Sequence, residues 1–250
     1  MNAGTTHFGF QDVGFEEKPH LVRSVFSSVA RRYDVMNDLM SGGIHRLWKA
    51  ELVDCLAPRP GRQHLDVAGG TGDVAFRIAD RLAGLKETKI LVCDYTPEMI
   101  AVGRNRALDR GFIGEIDWIC GDAQALPFPA RRWDSYTIAF GLRNVTDVDR
   151  ALREAWRVLK PGGHFLCLEF SRVVPPVLDR LYDLYSFNVL PAMGQAVAGD
   201  EDAYRYLVES IRRFPAQEEL KGLMEQAGFG NCSFRNLAGG IAAIHSGWRI

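Results

Sequence analysis

The chain reads as an α/β protein built on a doubly wound, mostly parallel sheet, and three observations predict this. From residue 63 onward, short apolar runs alternate with helical patterns, the signature of a parallel sheet covered by helices on both faces. The first of these runs passes at once through Ala68, Gly69, Gly70, Thr71 and Gly72 into a helical pattern, a tight strand-to-helix turn. The strands end in polar groups, namely Asp66, Asp94, Asp122 and then Arg143 with Asn144, at the edge where open α/β sheets bind ligands.

Taken in order, residues 1–19 are Gly-rich and aromatic without a clear period and read as a loose arm. From His20 to Leu56 apolar residues recur at three and four, interrupted at Ser41, Gly42 and Gly43, which predicts two or three helices. Tyr33, Asp34, Asn37, His45 and Trp48 lie in this stretch, either as a packed helical cap or as a cap that also lines a substrate pocket. Pro58, Arg59, Pro60 and Gly61 make a break. Strands are then expected at 63–69, 89–95, 115–121, 134–141 and 163–170, with helices at 73–84, 97–111 and 147–160. Leu159 to Gly163, LKPGG, stops the last helix and starts the fifth strand. Residues 171–214 read as a helical insertion, and a helix at 215–228 with strands at 230–237 and 241–249 completes the chain. We therefore expect one domain with four parts: arm and cap over 1–58, ligand-binding core over 59–170, insertion over 171–214 and closing elements over 215–250.

Composition narrows the function classes. A chain of 250 residues with 47% hydrophobic content can bury roughly 70–75% of its unfolded surface in one domain. Thirty basic and 31 acidic residues leave a formal charge of -1, so no global field recruits nucleic acid or an anionic membrane. Five scattered cysteines without a C-x-x-C pair read as buried free thiols of a reducing compartment. The N-terminal residues show no signal or transit pattern, and no run of 18 apolar residues occurs, so a cytoplasmic protein is expected. Metal-ligand spacings and nucleophile motifs are absent, and no metal is expected.

The glycine turn permits a ligand to lie against the main chain, facing the first N–H groups of the next helix. Gly70, Gly72 and Ala75 satisfy G-x-G-x-x-A, which dinucleotide sites share with plain packing turns. Asp66 separates these readings. A carboxylate beside the loop repels a pyrophosphate and suits a ligand carrying an ammonium and a sulfonium, such as S-adenosylmethionine. Asp94, 22 residues beyond Gly72, is placed to reach the ribose hydroxyls of a nucleoside lying across the strand ends; the alternative is a cap for the helix starting near Pro97. Asp122 could accept from an adenine amino group and the Ala123 N–H could serve a ring nitrogen, although Gly-Asp after a strand is also an ordinary turn. Arg143 and Asn144 stand where a substrate would be touched, or where an arginine is simply solvated.

These strings together resemble class I S-adenosylmethionine-dependent methyltransferases, whose Rossmann-like sheet has the order 3-2-1-4-5-7-6 with the seventh strand antiparallel. Ala68 departs from the loop glycine of most of that superfamily. YDVMNDLMSGGIHRLWK, LDVAGGTGD, FGLRNVTD, WRVLKPGG, LEFS, AYRYLVESI and AGF are similar to the ubiquinone and menaquinone biosynthesis C-methyltransferases (UbiE type), which carry the alanine too. The resemblance covers residues 20–250. It implies methyl transfer from S-adenosylmethionine to a ring carbon of a reduced polyprenyl benzoquinol or of demethylmenaquinol. By position it implies cofactor contacts at Thr71, Asp94, Asp122 and Ala123, joined here by Asp66, Gly70 and Gly72, while Ala139 replaces a serine of some relatives. Met36, Met40, Trp48, Tyr185, Phe187, Met193, Tyr204 and Tyr206 are available to line a channel for the prenyl tail or to fill the core.

The chemistry then assigns the remaining residues. A phenol with a pKa of about 10 is ionised at about one part in a thousand at pH 7, a deficit of roughly 4 kcal/mol. Arg143 is expected to stabilise the phenolate, since an adjacent cation lowers such a pKa by about 1 to 3 units. Asn144 would orient a water or the quinol oxygen, with His45, Tyr204 or Tyr206 as helpers. The expected partners are the quinol, a membrane touched transiently and peripherally, other quinone-biosynthesis enzymes and a second copy of the chain in a homodimer. Two other readings compete: a nicotinamide-dependent reductase using the same glycine loop, and a non-catalytic scaffold of a quinone-biosynthesis complex.

Overall fold

A computed structural model of the protein describes residues 4–29, 38, 41, 43–82, 88–173 and 201–250. The N-terminal stretch departs from the expected loose arm. β1 (Thr5–Phe8) and β2 (Gln11–Gly14) pair antiparallel as a hairpin, and α1 (Glu17–Val29) follows directly. Two four-residue strands are too short to show a periodic signal. Of the expected cap, α2 (His45–Leu56) is described; Tyr33, Asp34, Met36, Asn37 and Met40 lie outside the described residues.

The sheet is built by β3 (Gln63–Val67), β4 (Lys89–Asp94), β5 (Ile116–Cys120), β6 (Trp133–Ala139), β7 (Leu159–Phe170), β8 (Phe229–Leu237) and β9 (Ala242–Arg249). Its order is β5-β4-β3-β6-β7-β9-β8, with β9 antiparallel to both neighbours and the other adjacent pairs parallel. With the hairpin set aside, this is the expected doubly wound class. The helices between strands are α3 (Asp73–Arg81), α4 (Pro97–Asp109) and α5 (Val148–Val158); α6 (Glu201–Arg213) and α7 (Gln217–Gln226) precede β8. Of the expected insertion over 171–214, residues 174–200 lie outside the described residues, as do the side chains of 201–204, Tyr204 included.

Each face of the sheet has its own core. Leu52 of α2, Phe76 of α3, Met99 of α4 and Leu207 of α6 pack with Val92 and Leu166 on one side. Leu152 of α5 and Leu220 of α7 pack with Val67, Ile138 and Phe165 on the other. Strand residues alternate between these two apolar layers, so the central strands are buried on both faces. Local chemistry sets the helix ends: the Asp147 side chain accepts the Arg150 N–H at 2.8 Å to start α5, and Pro97 opens α4. LKPGG acts as expected but within a strand. Pairing of β6 with β7 jumps from Trp133–Leu159 to Ser135–His164, and Gly162, at φ +75°, lets the intervening residues bulge. Among the cysteines, Cys93 and Cys167 are buried, Cys55 and Cys232 half-buried and Cys120 exposed, so burial holds for only part of the set.

Candidate active site

The carboxyl ends of β3, β4, β5 and β6 surround a cleft of about 760 Å³, counting the solvent at its mouth. Pro19, Val22 and Phe26 of α1 wall it with apolar surface. Two non-glycine residues with left-handed backbone line it, Ala68 at φ +49° and Phe140 at φ +58°. Such strain, about 1–2 kcal/mol per residue, persists only where the surroundings enforce it. The Ala68 methyl group also occupies the space that a side chain on Gly141 would need.

Asp94 ends β4 at the floor of the cleft and is 8% exposed. Its Oδ2 accepts the Gly70 N–H and its Oδ1 the Thr96 N–H, each at 2.8 Å, while burial raises its pKa. Each oxygen keeps a lone pair for a diol. Gly70, at φ +56°, leaves open space where a side chain would stand, so a ligand can approach its backbone. Asp122 and Ala123 line the same cleft, with the Asp122 carboxylate accepting the Gln124 N–H at 2.8 Å. Two acids beside an open glycine fit the hydroxyls and amino group of the nucleoside of S-adenosylmethionine.

A second, smaller hollow adjoins the first at Ala68 and holds Asp66, Thr71 and Ala139, together with Lys49 and Asp73. Asp66 is buried; its Oδ1 accepts from Thr137 at 2.7 Å and its Oδ2 has no partner. Desolvation pushes its pKa up to about 7, against the lowering effects of Thr137 and Lys49. An orphaned buried carboxylate oxygen beside a glycine turn fits the ammonium end of the same ligand. The Thr71 hydroxyl accepts from Arg106 at 2.6 Å. Gly72 lines neither hollow. A side chain there would collide with the Trp118 ring, so this glycine serves helix packing and the backbone angle of φ +87°.

Of the expected catalytic residues, Asn144 alone among the described ones lines the cleft; the Tyr204 side chain lies outside them. Its Oδ1 accepts from the Tyr206 hydroxyl at 3.0 Å, and Tyr206 is buried. Arg143 is 2% exposed and turned away from the cleft: Nη1 donates to the Phe140 carbonyl at 2.6 Å and to Glu169 at 2.9 Å, and Glu169 is itself buried. Direct stabilisation of a phenolate by Arg143 is therefore replaced by a bracing role, because its charge is already neutralised. His45 is likewise held away, bonded to Asp38 at 2.9 Å and buried, with desolvation lowering its pKa. Among the described residues no group of three or more His, Cys, Asp or Glu side chains could hold a metal ion.

The family model for the ubiE/COQ5 methyltransferase family matches residues 13–249. The chain belongs to this family. The ubiquinone/menaquinone biosynthesis C-methyltransferase UbiE of Methylobacterium nodulans is 59% identical over 249 residues, covering 98% of this chain and 97% of that one. The mitochondrial 2-methoxy-6-polyprenyl-1,4-benzoquinol methylase of Arabidopsis thaliana is 52% identical over 265 residues, covering 100% of this chain and 92% of that one. In fold, the chain is similar to the crystal structure of a SAM-dependent methyltransferase from Thermotoga maritima, with a TM-score of 0.64 at 21% identity, covering 92% of this chain and all of that one. These matches favour methyl transfer over the nicotinamide reading, as the unpaired Asp66 oxygen does on chemical grounds.

Within this ubiE/COQ5 member, sequence reasoning missed the residues that complete the cleft. Val22 and Phe26 carried a signal, since they lie one helical turn apart on α1. Glu169 lay in plain view in LEFS, but its partner Arg143 is 26 residues away and meets it only across β6 and β7. Lys18 carried no signal at all, because a lysine is read as solvated by default.

Proposed function

We propose that the protein transfers a methyl group from S-adenosylmethionine to a ring carbon of a reduced polyprenyl quinol, the reaction class named for its relatives. The observation that carries this reading is the apolar-walled cleft lined by Asp94, Asp122 and Asn144. Asp94 takes the ribose hydroxyls, Asp122 and Ala123 the adenine edge, and the free oxygen of Asp66 the ammonium. The bound sulfonium supplies the methyl group. Val22, Phe26 and Phe140 exclude water around the reacting atoms and accept the apolar ring. Asn144 spends Oδ1 on Tyr206 and has a long 3.4 Å bond from Nδ2 to the Phe140 carbonyl. Its second amide N–H is left to orient the quinol oxygen. Among the described residues no histidine lines the cleft, and the phenolic proton is assigned to water.

No helix among the described residues is long and apolar enough to cross a membrane. Transient contact with the bilayer from the cytoplasmic side, with other quinone-biosynthesis enzymes and with a second copy of the chain belongs to the same proposal. The test is incubation of the purified full chain with methyl-labelled S-adenosylmethionine and a chemically reduced, short-tailed 2-methoxy-6-prenyl-benzoquinol or demethylmenaquinol. Label on a ring carbon, with loss of the corresponding ring proton by NMR, is the expected result. Failure to label either quinol, or reduction of the quinone at the expense of NADH, would overturn it.

A further inference from the structure

Lys18 sits in the first turn of α1 with only 1% of its surface exposed, yet no carboxylate among the described residues forms an ion pair with it. Its Nζ donates to the Val145 carbonyl at 2.9 Å. Burying an ammonium whose one hydrogen-bond partner among the described residues is a neutral carbonyl costs several kcal/mol after relaxation, and that cost shows as a pKa lowered by burial to about 8. A methionine would fill the same space without it. The position therefore carries a task other than packing, and the acceptor indicates which. Asn144, Val145 and Thr146 line the cleft, and so does Pro19, the neighbour of Lys18 on α1. The Lys18 bond thus staples two lining segments together. The hairpin adds to the staple, for the Thr6 hydroxyl donates to the Thr146 carbonyl at 3.2 Å and Phe8 stacks on Tyr206 at 4.1 Å between ring centres.

We propose that Lys18 is a positioning residue for methyl transfer: by donating to the Val145 carbonyl it joins α1 to the 142–146 loop and fixes where Asn144 stands in the cleft. This rests on the quinol-methylating reading above. The test compares Lys18→Met and Lys18→Arg with the wild-type full chain by turnover per folded molecule, calorimetric binding of S-adenosylhomocysteine, and amide hydrogen exchange. Lys18→Met should lower kcat by about 10- to 100-fold, as loss of orientation does, while nucleoside binding, made at Asp94 and Asp122, changes by less than about threefold. The amides of 144–147 should exchange at least about tenfold faster, with β3 and β6 unaffected. Lys18→Arg, which keeps a cationic donor, should recover most of both losses. Unchanged exchange in 144–147, unchanged kcat per folded molecule, or a uniform loss of protection across the sheet would each overturn the inference. If Lys18→Met does not fold, Lys18→Gln, whose side chain is one bond shorter and stops short of the Val145 carbonyl, is read by the same criteria. A wild-type enzyme that methylates no quinol condemns the functional reading instead, and the exchange pattern then decides on Lys18 alone.

Discussion

Replacing Asp94 tests the cofactor site most directly, and the structure sets both the size and the complication of the effect. In Asp94→Ala the ribose loses its acceptors. Two charge-assisted hydrogen bonds contribute about 1.5–3 kcal/mol each, so binding of S-adenosylmethionine should weaken at least about 100-fold. The same carboxylate also holds the Gly70 and Thr96 N–H groups. Leaving two donors unpaired costs about 1–3 kcal/mol each, offset in part by relief of a carboxylate that burial already disfavours. A net loss of about 1–3 kcal/mol lowers Tm by about 2–4 °C per kcal/mol in a domain of this size. Calorimetric titration with S-adenosylhomocysteine, run beside a thermal melt, separates the two effects. Asp94→Asn keeps one acceptor and should fall between wild type and alanine in both. An unchanged Kd in folded Asp94→Ala protein would refute the assignment, whatever the melt shows.

Three further outcomes follow from the same geometry. Arg143→Ala removes half of a buried ion pair and should destabilise by about 3–5 kcal/mol in urea titrations, whereas Arg143→Met with Glu169→Leu should regain much of that loss; full stability of the single variant would contradict the buried pair. For Asp66, the pKa raised to about 7 means that between the ordinary carboxylate range and pH 7 the folded chain holds a proton that the unfolded chain has released. Its contribution to stability is therefore present below about pH 4 and lost as pH rises to 7, while binding of the methyl donor should tighten over the same rise, as an ammonium favours the ionised acid. Asp66→Asn should flatten both profiles, and donor binding that ignores pH between 5 and 8 would remove Asp66 from the site. Gly72→Ala forces a side chain into the left-handed region and against Trp118, and a loss of at least about 1–2 kcal/mol is expected by chemical denaturation.

What could be read from the sequence was what local spacing encodes. The strand-to-helix turn at Ala68–Gly72 and the acids ending β4 and β5 follow from runs of a few residues, and those acids do line the cleft. The hairpin was hidden because TTHF and QDVG are each too short and too polar to show a strand period; they are held by pairing with each other and by contacts to α6, such as the Phe10 N–H donating to Glu209 at 3.0 Å. Thr71 and Ala139 were expected beside Asp94, yet the structure sets them in the adjoining hollow with Asp66, because the loop carries its successive residues to different sides.

Arg143 shows how pairing redirects a charge. Sequence shows a guanidinium in a loop at the ligand-binding edge, and in that setting its unpaired charge is the natural resource for stabilising a phenolate. Whether the charge is unpaired depends on Glu169, which β7 delivers beneath the loop, and on the Phe140 carbonyl, which the left-handed turn of Phe140 aims inward. With Arg143 neutralised, the cations left near the cleft act through backbone: Lys18 through the Val145 carbonyl from one side, Arg143 through the Phe140 carbonyl from the other. Both hold the short segment on which Asn144 is mounted. Orientation is the contribution these two bonds can make to attack by a carbon nucleophile, and alignment of ring carbon and methyl group alone can supply about 7–11 kcal/mol in favourable intramolecular cases, more than the roughly 4 kcal/mol deficit of phenol ionisation at neutral pH.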